Sequence, residues 1–159
     1  VIYRFLDWEF EVDNVITKHT YEQVSRSGTE TCDCYNCKNY LAVRERVFPK
    51  EIVAFLVDIG IDYRKEVEIS YYRRFPNGLH HIGGWFHFKG QILSGKDCRV
   101  FTDDLKTGWT FDLTSIDDIF SIGFYKGSNS AYFEDKVGLI QVEFETFIPW
   151  VIDRTLEAD

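Results

Sequence analysis

The run Cys32-Asp-Cys34-Tyr-Asn-Cys37 puts three thiols within six residues, a density of reactive side chains matched nowhere else in the chain. Thiolates are soft ligands, and zinc takes four donors, mostly cysteine sulfur and histidine nitrogen, in a tetrahedron. Cys34-x-x-Cys37 has the spacing by which one turn offers two sulfurs to one ion, and Cys32 can reach back as a third. The fourth donor must come from elsewhere. His87 is the first choice, because it stands on the strand face opposite Phe86 and Phe88, where a fixed ring could meet a helix start. His80 and Cys98 are close alternatives, His81 is a further candidate, and His19 a weaker one because it precedes the loop. A second C-x-x-C or an H-x(3–5)-H, the usual other half of a zinc site, is missing.

Other chemistries compete for the same cysteines. A C-x-x-C at a helix amino terminus has its thiolate stabilised by the helix dipole, so Cys34 and Cys37 also suit a thiol oxidoreductase. Against this, no βαβ pattern precedes them and Cys32 crowds the pair. An iron–sulfur cluster needs the same remote fourth ligand and ranks below zinc. Unmodified cysteines also pack as small apolar residues near helix starts. Disulfides fit poorly, because three thiols so close together are awkward to pair within the local backbone.

Leu79-His-His-Ile-Gly-Gly-Trp-Phe-His-Phe88 gathers three of the four histidines, which invites a metal-dependent hydrolase. No Gly-x-Ser-x-Gly elbow, His-Glu-x-x-His helix, phosphate loop or dinucleotide fingerprint accompanies it. Asp103-Asp104 and Asp117-Asp118 read as turn and cap residues, since neighbours on a strand point to opposite faces. Arg73-Arg74 reads as a solvated turn.

The elements that must position these residues follow from periodicity. Trp8, Phe10, Val12 and Ile16 alternate with acidic residues and predict a half-buried strand over Trp8–Thr17. The polar stretch Ser25–Thr31 reads as a loop delivering the chain to the cysteines. A helix is predicted from Cys34 to about Val47 and a stronger one from Pro49 to Gly60, where Ile52, Phe55, Leu56 and Ile59 recur at helical spacing. Strands follow at Val67–Tyr71, His80–Leu93, Cys98–Thr102, Trp109–Leu113, Ile119–Tyr125 and Leu139–Ile148, with a turn at Phe75–Gly78 and a bulge or close backbone approach at Gly83-Gly84. The predicted fold is α+β, a mostly antiparallel sheet with two early helices packed on it, in one globular domain over residues 1–159.

Composition bounds the partners. Lys and Arg total 18 against 26 Asp and Glu, and the net charge of −8 opposes a nucleic-acid partner. Phe and Tyr, 14 and 9 residues, favour a sheet-rich core and leave enough aromatic surface for a protein interface. No apolar run approaches the roughly 20 residues a membrane helix needs, and no basic-then-apolar leader opens the chain, so a soluble cytoplasmic protein is expected. Oligomeric state is not legible.

Cys32-Asp-Cys34-Tyr-Asn-Cys37-Lys-Asn-Tyr40, Phe48-Pro-Lys-Glu, Leu56-Val-Asp-Ile-Gly-Ile-Asp62 and Gly83-Gly-Trp-Phe-His-Phe-Lys-Gly90 together resemble a group of small bacterial proteins with no function attached. The likeness spans about Cys32 to Gly90 and implies a bacterial cytosolic protein without transferring a catalytic residue. The leading expectation is a non-enzymatic binding domain with a structural zinc site, acidic enough to steer a basic protein partner, as an inhibitor or toxin-immunity protein does. The alternative is an enzyme, either the thiol oxidoreductase or the hydrolase above.

Overall fold

Alternating burial at Trp8, Phe10 and Val12 sets the second strand of an amino-terminal hairpin, β1 (Ile2–Phe5) and β2 (Trp8–Val12). The computed structural model describes residues 1–159. The strand predicted to run to Thr17 stops at Val12, because the Asp13 carboxylate accepts the Ile16 N–H at 3.0 Å and starts a helix, α1 (Asn14–Glu22). Two further helices follow, α2 (Tyr35–Val43) and α3 (Lys50–Asp58), so the helices number three rather than two. Pro49 caps α3, and Gly60, at φ +95°, ends it with Ile61 N–H donating to the Leu56 carbonyl at 2.8 Å.

Six strands complete the main sheet or flank it: β3 (Glu68–Arg74), β4 (His80–Ser94), β5 (Arg99–Phe101), β6 (Trp109–Phe111), β7 (Thr114–Ser115) and β8 (Ser121–Lys126). The last strand, β9 (Leu139–Ile148), has the predicted bounds. The order is β1-β2-β4-β9-β8-β7, all antiparallel, with β3 also on β4 and β5-β6 a separate hairpin. The α+β class expected from the sequence is the one observed. At Gly83-Gly84 the expected close approach is met, since a Cβ on Gly84 would lie 2.6 Å from the Glu68 carbonyl oxygen; the register shift lies farther along, between Tyr71 and Arg73 of β3, opposite Ile82 and His81.

β4 is long enough to serve three neighbours. One edge pairs with β9; the other pairs with β3 as far as Trp85 and with β2 from Gly90. In the gap, α1 replaces a strand: Tyr21 Oη accepts the His87 N–H at 3.0 Å and Thr17 Oγ1 accepts the Lys89 N–H at 3.0 Å. Buried backbone donors are thereby met without a β-ladder. One sheet face carries Ile82, Phe86, Phe88, Phe124, Val142 and Phe144 into a core of 26 buried hydrophobic residues shared with α3 and Phe48. The opposite face is covered too, since Asn129 lies over it, donating its N–H to Gln141 Oε1 at 3.0 Å and accepting from Trp85 Nε1 at 2.9 Å.

Candidate metal centre

The polar segment before the cysteines is a series of turns pinned to the core. Gly28 lies so close to the Val67 carbonyl that a Cβ there would come within 1.7 Å of the oxygen, and its N–H donates to the Glu66 carbonyl at 3.1 Å. Thr31 N–H donates to the Ser27 carbonyl and Cys32 N–H to the Thr29 carbonyl, each at 3.2 Å, which folds Cys32 back toward the helix. Beneath them Arg44, at the far end of α2, reaches Ser27 Oγ at 3.1 Å, Glu30 Oε1 at 3.1 Å and Glu66 Oε1 at 2.9 Å. Glu66 is fully buried, and desolvation pushes its carboxyl pKa up against the pull of its hydrogen bonds and Arg44. This charged anchor was not legible locally, because Arg44 and Glu66 are distant in sequence and neither belongs to a motif.

α2 starts on a cysteine. Cys34 has extended backbone, φ −72° and ψ 155°, and its sulfur accepts the Cys37 N–H at 3.4 Å, the role an Asp or Ser usually takes. Cys32 Sγ lies 3.3 Å from Cys34 Sγ, and the three sulfurs all fall within 4.8 Å of one another. Tetrahedral zinc with Zn–S bonds of about 2.3 Å needs sulfurs about 3.8 Å apart, which sits inside that range. Cys37 is buried, Cys32 half-buried and Cys34 exposed. Burial and the neighbouring thiols push the Cys37 pKa up, whereas the Cys34 N–H and then the Cys37 and Cys34 thiols pull that of Cys32 down. A cation removes the repulsion that otherwise keeps three such sulfurs from ionising together, so the cluster can hold a metal ion.

Asn39, inside α2, ties the helix to the chain's other end: its Nδ2 donates to the Pro149 carbonyl at 3.0 Å and its Oδ1 accepts the Val151 N–H at 2.8 Å.

No fourth donor of this chain joins the cluster. His87 is fully buried beside Gln141, with Nε2 2.9 Å from Gln141 Oε1. Because that oxygen also accepts the Asn129 N–H, it must be the carbonyl end of the amide, and His87 carries its proton on Nε2. Gln141 Nε2 then donates to Glu143. Burial pushes His87 down to about 4 and Glu143 up to about 7. His80 is held between Tyr71 Oη at 3.0 Å and Glu157 at 2.8 Å, His81 lies 3.5 Å from Glu145, and Cys98 is buried against Gly123. His19 is exposed on α1. The sequence placed His87 on the face away from Phe86 and Phe88, as observed, but that face meets Asn129 instead of the start of α2.

The remaining candidates have local roles. Asp103 accepts from Thr107, and Asp117 from the N–H groups of Ile119 and Phe120. Arg73 lies over the Phe75 ring, and Arg74 pairs with Glu157 at 3.1 Å. A cleft of about 930 Å³ is lined by residues such as Glu11, Asp13, Lys89 and Lys126 and contains none of the cysteines; the thiols, with their converging ligand atoms, make the better chemical site. No helix is long and apolar enough to cross a membrane. No protein-family model, curated protein or solved structure matches the chain.

Proposed function

We propose that the chain is a non-enzymatic binding domain in which Cys32, Cys34 and Cys37 hold a structural zinc ion, and that its acidic surface docks a basic protein partner, as a bacterial cytosolic inhibitor or toxin-immunity protein would. The observation that carries the metal assignment is the convergence of three sulfurs at the start of α2, all within 4.8 Å. α2 spans only nine residues, a length that is marginal for an isolated helix, so an ion closing its first turn onto the preceding loop has a clear stabilising role. The net charge of −8 supports the partner assignment through electrostatic steering.

Two features weigh against the enzymatic alternatives. Thiol exchange needs an exposed attacking sulfur and one resolving partner, and here Cys32 Sγ, 3.3 Å from Cys34 Sγ, crowds the Cys34–Cys37 pair. A hydrolase built on the histidines requires them to converge, and His80, His81 and His87 each have a different partner.

Elemental analysis of untagged protein, paired with a thiol count, is the direct test: stoichiometric zinc is expected. A chelator should lower the melting temperature, and Cys34→Ser should reproduce that loss without further response to chelator. Four freely titrating thiols, no metal and an unchanged melt would sink the assignment. For the partner, association should slow as salt rises, because charges are screened beyond roughly 8 Å at physiological ionic strength.

A further inference from the structure

We infer that the metal held by Cys32, Cys34 and Cys37 keeps one coordination position open at the protein surface, and that an imidazole from another protein molecule fills it. The inference rests on the zinc assignment above. Zinc in a structural site takes four donors, and the chain brings three together. No histidine nitrogen or carboxylate oxygen joins the three sulfurs within 4.8 Å. The other soft ligands are committed elsewhere: His80 to Tyr71 and Glu157, His81 to Glu145, His87 to Gln141, and Cys98 beneath the sheet against Gly123. His87 leaves its Nδ1 without a partner, but the ring is fully buried on the sheet face covered by Asn129 and neither nitrogen is among the atoms that converge with the sulfurs.

The site is built to be approached from outside. Cys37 holds the buried side of the cluster, Cys34 is exposed and Cys32 half-buried, so the missing vertex is reachable at the surface. Charge then selects the donor. Three thiolates and a zinc dication leave one net negative charge, and a fourth thiolate or a carboxylate would add another, beside Asp33 and in a chain already at −8. A neutral imidazole adds none and completes the common three-cysteine, one-histidine set. His19 is the one exposed histidine here, so a second copy can supply the ring; the other source is a histidine of a different protein.

Cobalt(II), which reports its ligands through visible d–d bands, is the probe. The cobalt-loaded chain is titrated with free imidazole, and its mass in solution is measured with and without metal, for the wild type and for His19→Ala. A monomer whose bands shift saturably with one imidazole per cobalt supports the inference and assigns the natural donor to a different protein. A cobalt-dependent dimer that dissociates in His19→Ala, with the bands then responding to imidazole, supports it and assigns the donor to a second copy. Bands that ignore imidazole in both chains, with X-ray absorption showing four protein donors in the monomer, would overturn it while leaving the zinc assignment intact. Failure to bind cobalt or zinc at all would remove both.

Discussion

Phe5 stacks on Phe55 with ring centroids 4.3 Å apart and an interplanar angle of 22°, which presses the amino-terminal hairpin directly onto α3. Phe55 also meets Phe124 at 5.6 Å and Phe10 at 6.2 Å, so a single ring joins helix, hairpin and central sheet. Phe55→Ala should therefore cost on the order of 3–5 kcal/mol in urea denaturation, the range for emptying a large aromatic site. A loss below about 1 kcal/mol would show that the contact does not organise the core.

The pair Arg44 and Glu66 is the most deeply buried ion pair, with side-chain exposures of 11% and 0%. Arg44→Met should cost about 3–5 kcal/mol, because it leaves a carboxylate buried without its counter-charge. Adding Glu66→Gln should recover part of that loss. If the double variant is no better than the single one, the cost lies in packing of the arginine stem and the charge argument fails.

Stability should respond to pH through two groups with opposite signs. Glu143, raised from 4.5 to about 7, contributes stability that is fully present below about pH 4.5 and is lost as pH rises through 7. His87, lowered from 6.5 to about 4, contributes stability that is present above about pH 6.5 and is lost as pH falls through 4. Glu143→Gln removes the first slope alone. The variant should gain on the order of 2–3 kcal/mol over wild type at about pH 8 and differ little near pH 4. A constant difference across that window would mean Glu143 titrates as an ordinary carboxylate.

Gly28→Ala tests the seat of the cysteine loop. The added methyl would collide with the Val67 carbonyl, which cannot retreat freely because Val67 N–H donates to the Trp85 carbonyl at 2.9 Å. Lifting the loop should cost about 1–3 kcal/mol and weaken metal binding at the cysteines, read by competition with a colorimetric chelator. Unchanged metal affinity with reduced stability would uncouple the loop from the centre.

The strands, α3 and the antiparallel class were legible because their apolar side chains recur on one side at local spacing, as Ile52, Phe55 and Leu56 do in α3 and Val142 and Phe144 in β9, although β9 is in fact buried on both faces. α1 was not, because Val12 and Ile16 extend the alternation of Trp8 and Phe10 across the real boundary; Ile16 is in fact exposed, and the signal that marks the break is Asp13 standing three residues before the N–H it caps. The three cysteines were legible from spacing, since a helix start brings its own near neighbours together. The surroundings of His87 were not, because they come from Tyr21, Asn129 and Gln141, which only tertiary folding delivers.

Asn39 grips both the Pro149 carbonyl and the Val151 N–H from within the helix that Cys34 and Cys37 begin. The centre and the chain's far end therefore form one opening unit: α2 cannot fray from its cysteine end past Asn39 without freeing the Val151 amide to exchange with solvent. Deuterium uptake at that single amide becomes a remote gauge of metal occupancy at the cysteines, slow with an ion bound and faster with it stripped.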